Sequence, residues 1–92
     1  MNTLSLLTSH EIQQQLAQSV QQKRKLLKLS RQALAERSTV PASTIKRFET
    51  TAQISLRQFI LLWQCVDSLE NLARIMQQPK TKPRSIDEVL KG

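Results

Sequence analysis

Four polar residues near the middle of the chain follow the spacing of one helix face. They stand at the i, i+3, i+4 and i+7 positions that an α-helix places on one side: Ser43, Lys46, Arg47 and Thr50. Hydroxyl, ammonium and guanidinium groups can bond to base edges. An α-helix also fits the major groove of B-DNA, where every base pair is distinguishable. This face is therefore typical of a helix that reads a duplex.

The surrounding residues predict the element that holds this face. Residues 30–49 have the pattern of two short helices joined by a tight turn, a helix-turn-helix. The internal positions of such a motif are apolar here: Leu34, Ala35, Val40, Ile45 and Phe48. With Ile45 and Phe48 turned inward, the polar face of the second helix is left outside.

The positive charge of the chain lies in one block. The 92 residues carry a formal charge of +7, from 14 Lys or Arg and 7 Asp or Glu. Residues 23–47 hold eight of the cations and one acid, so the remainder of the chain is neutral. A basic block on a neutral body favours a polyanion partner, although a solvated basic helix face is the alternative.

Residues that form disulfides, metal sites and catalytic centres are scarce in this chain. The single cysteine, Cys65, excludes an internal disulfide and a multi-cysteine zinc site, and its apolar surroundings predict a buried side chain. His10 is the only histidine. We therefore expect no enzyme activity, no cofactor and no metal. No apolar run is long enough to span a membrane, and the expected location is cytoplasmic and associated with the nucleoid.

Capping signals divide the chain into helices. Thr8 and Glu11 form a capping box at the start of the first helix, which should end near Lys28. The second helix should follow Ser30 and cover about 31–37, and the third should run from Pro41 to 48 or 50. The fourth should follow Ser55 and cover 56–66, and the fifth should run from 67 or 68 to about 77. The inner face predicted for the first helix is Ile12, Leu16, Val20 and Leu27, with Leu26 at its edge.

The fourth predicted helix is apolar around almost its whole circumference. Such a helix needs cover on more than one side, and the fifth helix supplies only part of it. We favour a homodimer over a fully internal core. The predicted dimer or partner surface consists of Leu61, Trp63, Cys65 and Leu69.

The composition predicts three parts: an N-terminal extension at 1–7, a helical domain at 8–78 and a C-terminal segment at 79–92. PKTKPR, with two prolines and three cations, is typical of a flexible linker. The following SIDEVL is either a frayed tail or a short docking peptide that folds on a partner protein.

Residues 20–76 resemble the XRE (lambda-repressor-like) helix-turn-helix family. The motifs that carry the resemblance are Arg24, Leu34-Ala35-Glu36, Val40, Ser43-Thr44-Ile45, Phe48-Glu49 and Ile54-Ser55-Leu56. The resemblance implies an all-α, five-helix DNA-binding domain. The small size, basic linker and SIDEVL segment are also similar to HipB-like antitoxins, which are encoded beside HipA-type kinases.

The resemblance implies roles for individual residues. Positions that face base edges are matched by Ala42, Ser43 and Arg47, with Lys46 beside them, and Arg47 is suited to bidentate pairing with guanine. Positions that bind phosphate are matched by Ser30, Arg31 and Thr50, with Lys28 near them. A structural ion pair is implied between Arg24 and Glu49.

Two positions depart from the family pattern. Thr39 stands in the turn where glycine is most common, so either a β-branched residue is strained there or the turn has another geometry. Ala42 replaces a polar reader, which favours partial reliance on DNA shape.

These patterns predict a dimeric, sequence-specific repressor that binds a palindromic operator and acts as the antitoxin and autorepressor of a toxin–antitoxin operon. One alternative is a protein-interaction subunit that neutralises a HipA-type kinase toxin, with DNA binding secondary. Another is a phage-type repressor.

Overall fold

The computed structural model describes residues 6–77, and this part of the chain contains five helices and no strand. The helices are α1 (Ser9–Leu26), α2 (Arg31–Ser38), α3 (Ala42–Thr51), α4 (Leu56–Val66) and α5 (Leu69–Met76). The all-α, five-helix prediction is confirmed. The linker and SIDEVL segments lie outside the described residues, as do residues 1–5 of the N-terminal extension.

Side-chain caps set the helix starts that the sequence predicts. Thr8 and Glu11 form the complete capping box of α1: the Glu11 amide donates to Thr8 Oγ1 at 3.1 Å, and the Thr8 amide donates to Glu11 Oε1 at 2.9 Å. Ser30, Ser55 and Ser68 each accept an amide hydrogen bond at the start of α2, α4 and α5. These bonds satisfy donors that a helix start would otherwise leave unpaired.

The first three helices end at non-glycine residues in the left-handed region. The φ angles are 59° at Lys28, 66° at Thr39 and 64° at Ala52. At the end of α1, Leu29 N donates to Arg24 O and Lys28 N donates to Lys25 O, which are the two bonds of a Schellman ending. At Thr39, the following Val40 amide donates to the buried Ser38 Oγ. Thr39 therefore keeps the left-handed geometry predicted to be strained, and local hydrogen bonds hold it.

The core lies where α1 to α4 meet. Phe48, Leu34, Ile45, Leu62, Val20 and Val40 are its largest fully buried side chains. Phe48 and Phe59 meet edge to face at 6.0 Å, and Phe59 contacts Trp63 at 5.9 Å. The inward positions predicted for the helix-turn-helix are confirmed, with Ala35 half-buried at the edge.

The inner face predicted for α1 is partly wrong. Ala17, Val20 and Arg24 are the buried residues of α1, whereas Ile12, Leu26 and Leu27 are 40%, 81% and 51% exposed. Leu26 lies on the opposite side of the helix from the buried Ala17, Val20 and Arg24, as the 3.6-residue repeat requires. The left-handed Lys28 follows the end of the helix, and Leu29 enters the core instead. Leu26 and Leu27 are left at the surface.

An ion pair joins the end of α1 to the start of α5. Lys23 Nζ lies 3.0 Å from Asp67 Oδ2 and 5.3 Å from the centre of the Trp63 ring. Hydrogen bonds from Asn71, Lys23 and the Ser68 amide lower the pKa of Asp67. No helix within residues 6–77 has both the length and the apolar character that crossing a bilayer requires.

Candidate nucleic-acid interface

The outer face of α3 is polar and exposed. Ile45 and Phe48 are 0% and 2% exposed, and they fix the rotation of α3. This rotation leaves four side chains in solvent: Ser43, Lys46, Arg47 and Thr50. Ala42, the first residue of α3, is half-buried. The predicted base-reading residues therefore lie along one helix, with Ala42 less accessible than the others.

Arg47 forms hydrogen bonds with residues at and just after the end of α3. Its Nη2 donates to Gln53 Oε1 at 3.1 Å, and its carbonyl oxygen accepts from Thr51 Oγ1 at 2.7 Å. The Gln53 amide in turn donates to Thr51 Oγ1 at 3.2 Å. Gln53 is a neighbour that the sequence reasoning missed, because it follows the helix and belongs to no periodic pattern.

The start of α3 has no side-chain cap. Pro41 occupies the N-cap position and provides no side-chain acceptor. The first amide groups of α3 therefore keep their capacity to donate, and the positive end of the helix dipole lies at this terminus. Both features favour a negatively charged partner near Ala42 and Ser43.

The predicted phosphate residues meet beside the C-terminal half of α3. Lys28 is exposed in the α1–α2 turn, Ser30 caps α2, and Arg31 is the first residue of α2. Arg31 Nε donates to Glu49 Oε1 at 2.9 Å, which brings this turn against the residue that precedes Thr50. The Thr50 hydroxyl itself donates to the carbonyls of Lys46 and Arg47. A phosphate contact from Thr50 would need this hydroxyl to rotate.

Glu49 is the anchor of α3 against α1. Arg24 donates to both of its carboxylate oxygens, from Nε at 2.7 Å and from Nη2 at 3.1 Å, and the Glu49 side chain is 1% exposed. The Arg24–Glu49 pair implied by the family resemblance is therefore present. Burial disfavours the ionised carboxylate, but the hydrogen bonds and charges of Arg24 and Arg31 outweigh it and lower the pKa of Glu49.

Three of the eight cations of the basic block form ion pairs, and they lose only two positive charges because two of the three share one carboxylate. Lys23 pairs with Asp67, and Arg24 and Arg31 both pair with Glu49. Among residues 6–77, the other five cations of the block are exposed without an ion pair: Lys25, Lys28, Arg37, Lys46 and Arg47. Positive charge therefore remains on both the α1–α2 turn and α3.

A second exposed surface is apolar. We define the α5 apolar face as Leu69, Leu72, Ile75 and Met76, which lie on one side of α5. Leu72 packs against the core, but Leu69 is 41% exposed and Ile75 and Met76 are each 70% exposed. No residue of α5 is fully buried.

The predicted partner surface needs correction at Trp63. This residue is 6% exposed, and its Nε1 donates to Ser68 O at 2.9 Å, so it belongs to the core of the chain. Leu61 and Cys65 are half-buried against that core, and Leu69 is the exposed member. Burial raises the pKa of the Cys65 thiol, although the charge of Arg37 opposes this shift. The error arose because α4 is covered by α1 and α2 together.

Scans of this chain against protein-family models, curated proteins and solved structures found no match. The interpretation of the site therefore rests on its own geometry and charge.

Proposed function

We propose that this protein binds double-stranded DNA sequence-specifically as a homodimer and represses transcription. The observation that carries the proposal is the orientation of α3, whose Lys46 and Arg47 are exposed while Ile45 and Phe48 are buried behind them. A helix that buries its apolar face in the core and exposes a polar, cationic face is suited to the major groove. The neighbouring turn with Lys28 and Ser30 supports contacts to the phosphate backbone.

The homodimer is part of this proposal because of the α5 apolar face. Ile75 and Met76 expose most of their apolar surface. A two-fold axis would bring this face against its own copy, and one α3 from each subunit would then enter successive major grooves. The proposed operator is a palindrome with half-sites about 34 Å apart, one helical turn, or a multiple of this distance.

Selection from a random duplex library tests the proposal directly. The full-length protein should enrich a palindromic motif, and binding should weaken steeply as salt rises, because phosphate contacts release counterions. A selection with no enriched motif would contradict sequence-specific binding. An enriched motif without internal symmetry would support sequence-specific binding but contradict the homodimer.

A second candidate function is a protein-interaction subunit, an antitoxin that neutralises a HipA-type kinase. The same apolar residues of α5 favour it, together with Leu26 and Leu27 at the end of α1, which are 81% and 51% exposed. A protein of this kind commonly represses its own operon, so both functions are compatible. In a third variant, a phage-type repressor, several operators and no protein partner are expected.

The product of the adjacent gene separates these alternatives. If that product is a kinase and co-purifies with the full chain, the antitoxin proposal is supported. Loss of the complex on removal of residues 79–92 would assign binding to the C-terminal segment, which lies outside the described residues. If the complex survives this truncation, binding would instead be assigned to the exposed apolar residues of α1 and α5.

A further inference from the structure

Two arginines share the Glu49 carboxylate but use it differently. Arg24 donates from all three of its nitrogens: Nε and Nη2 to Glu49, and Nη1 to Leu29 O at 2.8 Å. Arg31 donates from Nε alone, at 2.9 Å. Within residues 6–77 its Nη1 and Nη2 have no hydrogen-bond acceptor. Each of the three Arg24 nitrogens therefore donates within the fold, whereas Arg31 donates from one nitrogen and its Nη1 and Nη2 groups are available to another acceptor.

Exposure separates the two arginines in the same way. The side chain of Arg24 is 9% exposed and that of Arg31 is 37% exposed, while the carboxylate between them is 1% exposed. One carboxylate cannot neutralise two guanidinium groups, so the cluster keeps one net positive charge. Arg31 is the member of the cluster that can present this charge to a partner.

We propose that Glu49 is a positioning residue for DNA binding: it holds Arg31 by the Nε edge and aims the Nη edge at a backbone phosphate. The inference rests on the proposed DNA-binding function and adds a role that the fold alone does not require. A guanidinium fixed along one edge loses less side-chain freedom when the other edge binds, and a planar fork matches phosphate oxygens.

The position of Arg31 in the chain supports this geometry. It is the first residue of α2, and Ser30 and Lys28 are its neighbours in the α1–α2 turn. A phosphate at this turn would meet the Arg31 fork, the Lys28 ammonium and the first amides of α2. Glu49, which orients Arg31, belongs to α3. A contact between Arg31 and the DNA phosphate backbone would therefore be coupled to the position of α3.

A double-mutant cycle tests the positioning role. The affinity of the full chain for a random-sequence duplex of about 20 base pairs, near two helical turns, is measured by fluorescence anisotropy across salt concentrations. The variants are Arg31→Ala, Glu49→Gln and the double mutant. A duplex of random sequence is suitable because a phosphate contact carries no sequence information.

We expect Arg31→Ala to weaken binding about tenfold on every sequence, the effect of losing one charge-assisted contact. The slope of log K against log salt should become shallower by about 0.9, the release of one counterion. In the Glu49→Gln background, the same Arg31→Ala change should cost less than about threefold, because the arginine is no longer held. An equal loss in both backgrounds would overturn the positioning role.

Arg31→Lys gives a second test that leaves Glu49 in place. Lysine keeps the charge but has no planar fork to bond on two sides. The salt slope should therefore match that of the wild type while the affinity falls severalfold. Wild-type affinity in Arg31→Lys would overturn the inference, as would unchanged affinity in Arg31→Ala, and in either case the proposed function would survive. If the wild-type chain binds no duplex at all, the proposed function itself fails.

Discussion

α3 and α5 are exposed helices of similar length, yet they present opposite chemistry to solvent. α3 buries Ile45 and Phe48 in the core and exposes Lys46 and Arg47. α5 buries no residue fully and exposes Ile75 and Met76. A helix with a covered apolar side is stable without further cover, whereas an exposed apolar side gains free energy when a second surface covers it. This difference is the reason for the proposal that a second copy of the chain covers α5.

The largest expected contrast concerns folding of the single chain. Phe48→Ala should lower the free energy of unfolding by about 3–5 kcal/mol, because it leaves a cavity among fully packed residues. Ile75→Ala should change it by less than about 0.5 kcal/mol in dilute protein, since the side chain lies at the surface. Urea unfolding followed by circular dichroism measures both. Similar losses for the two variants would show that α5 is as well anchored as α3.

The next effect concerns self-association through α5. Ile75→Asp should raise the dissociation constant of the proposed dimer at least about a hundredfold, because the proposed two-fold axis would place the new charge in the interface twice. Sedimentation at a series of protein concentrations measures the change. Arg74→Asp, on the opposite side of α5, is the matched control and should leave the dimer intact. If both variants associate normally, the α5 apolar face is not the interface.

A smaller effect is expected on base reading by α3. Arg47→Ala should reduce affinity for the selected duplex by about 1–3 kcal/mol while affinity for random duplexes changes little. Arg57, an exposed cation on α4, provides the control, since Arg57→Ala removes the same charge away from α3. Parallel titrations of selected and random duplexes separate the two effects. An equal loss on both duplexes would make Arg47 a phosphate contact.

The smallest effect is the pH dependence of the anchor of α3. The pKa of Glu49 lies below its ordinary value of 4.5 in the folded chain, so its stabilising contribution is complete above that value. The contribution is lost as the pH falls through the lower, folded pKa. As the pH is lowered below about 4.5, the melting temperature should therefore fall less steeply in Glu49→Gln than in wild type. Asp67, whose pKa is also lowered, keeps some acid sensitivity in both proteins.

Much of the fold follows from local patterns in the sequence. The bounds of α4 match the prediction at both ends, and the capping residues Thr8, Ser30 and Ser55 begin their helices as expected. The outward face of α3 was also predictable, because Ile45 and Phe48 have the spacing of one buried side. These features depend on residues within a few positions of one another, where helix periodicity and capping act.

The contacts between helices were decided by tertiary structure. No local signal indicates that Arg31 bonds to Glu49, because 18 positions separate them and the pairing depends on how α2 meets α3. Burial of Trp63 likewise depends on α4 being covered by its neighbours, and burial of Leu29 depends on the left-handed Lys28 that follows α1. The sequence by itself determined which side chains share a helix face, since that is set by the 3.6-residue repeat. Which of those faces are covered, and which arginine keeps a free edge, was decided only when the helices packed, because burial is a property of the space between them.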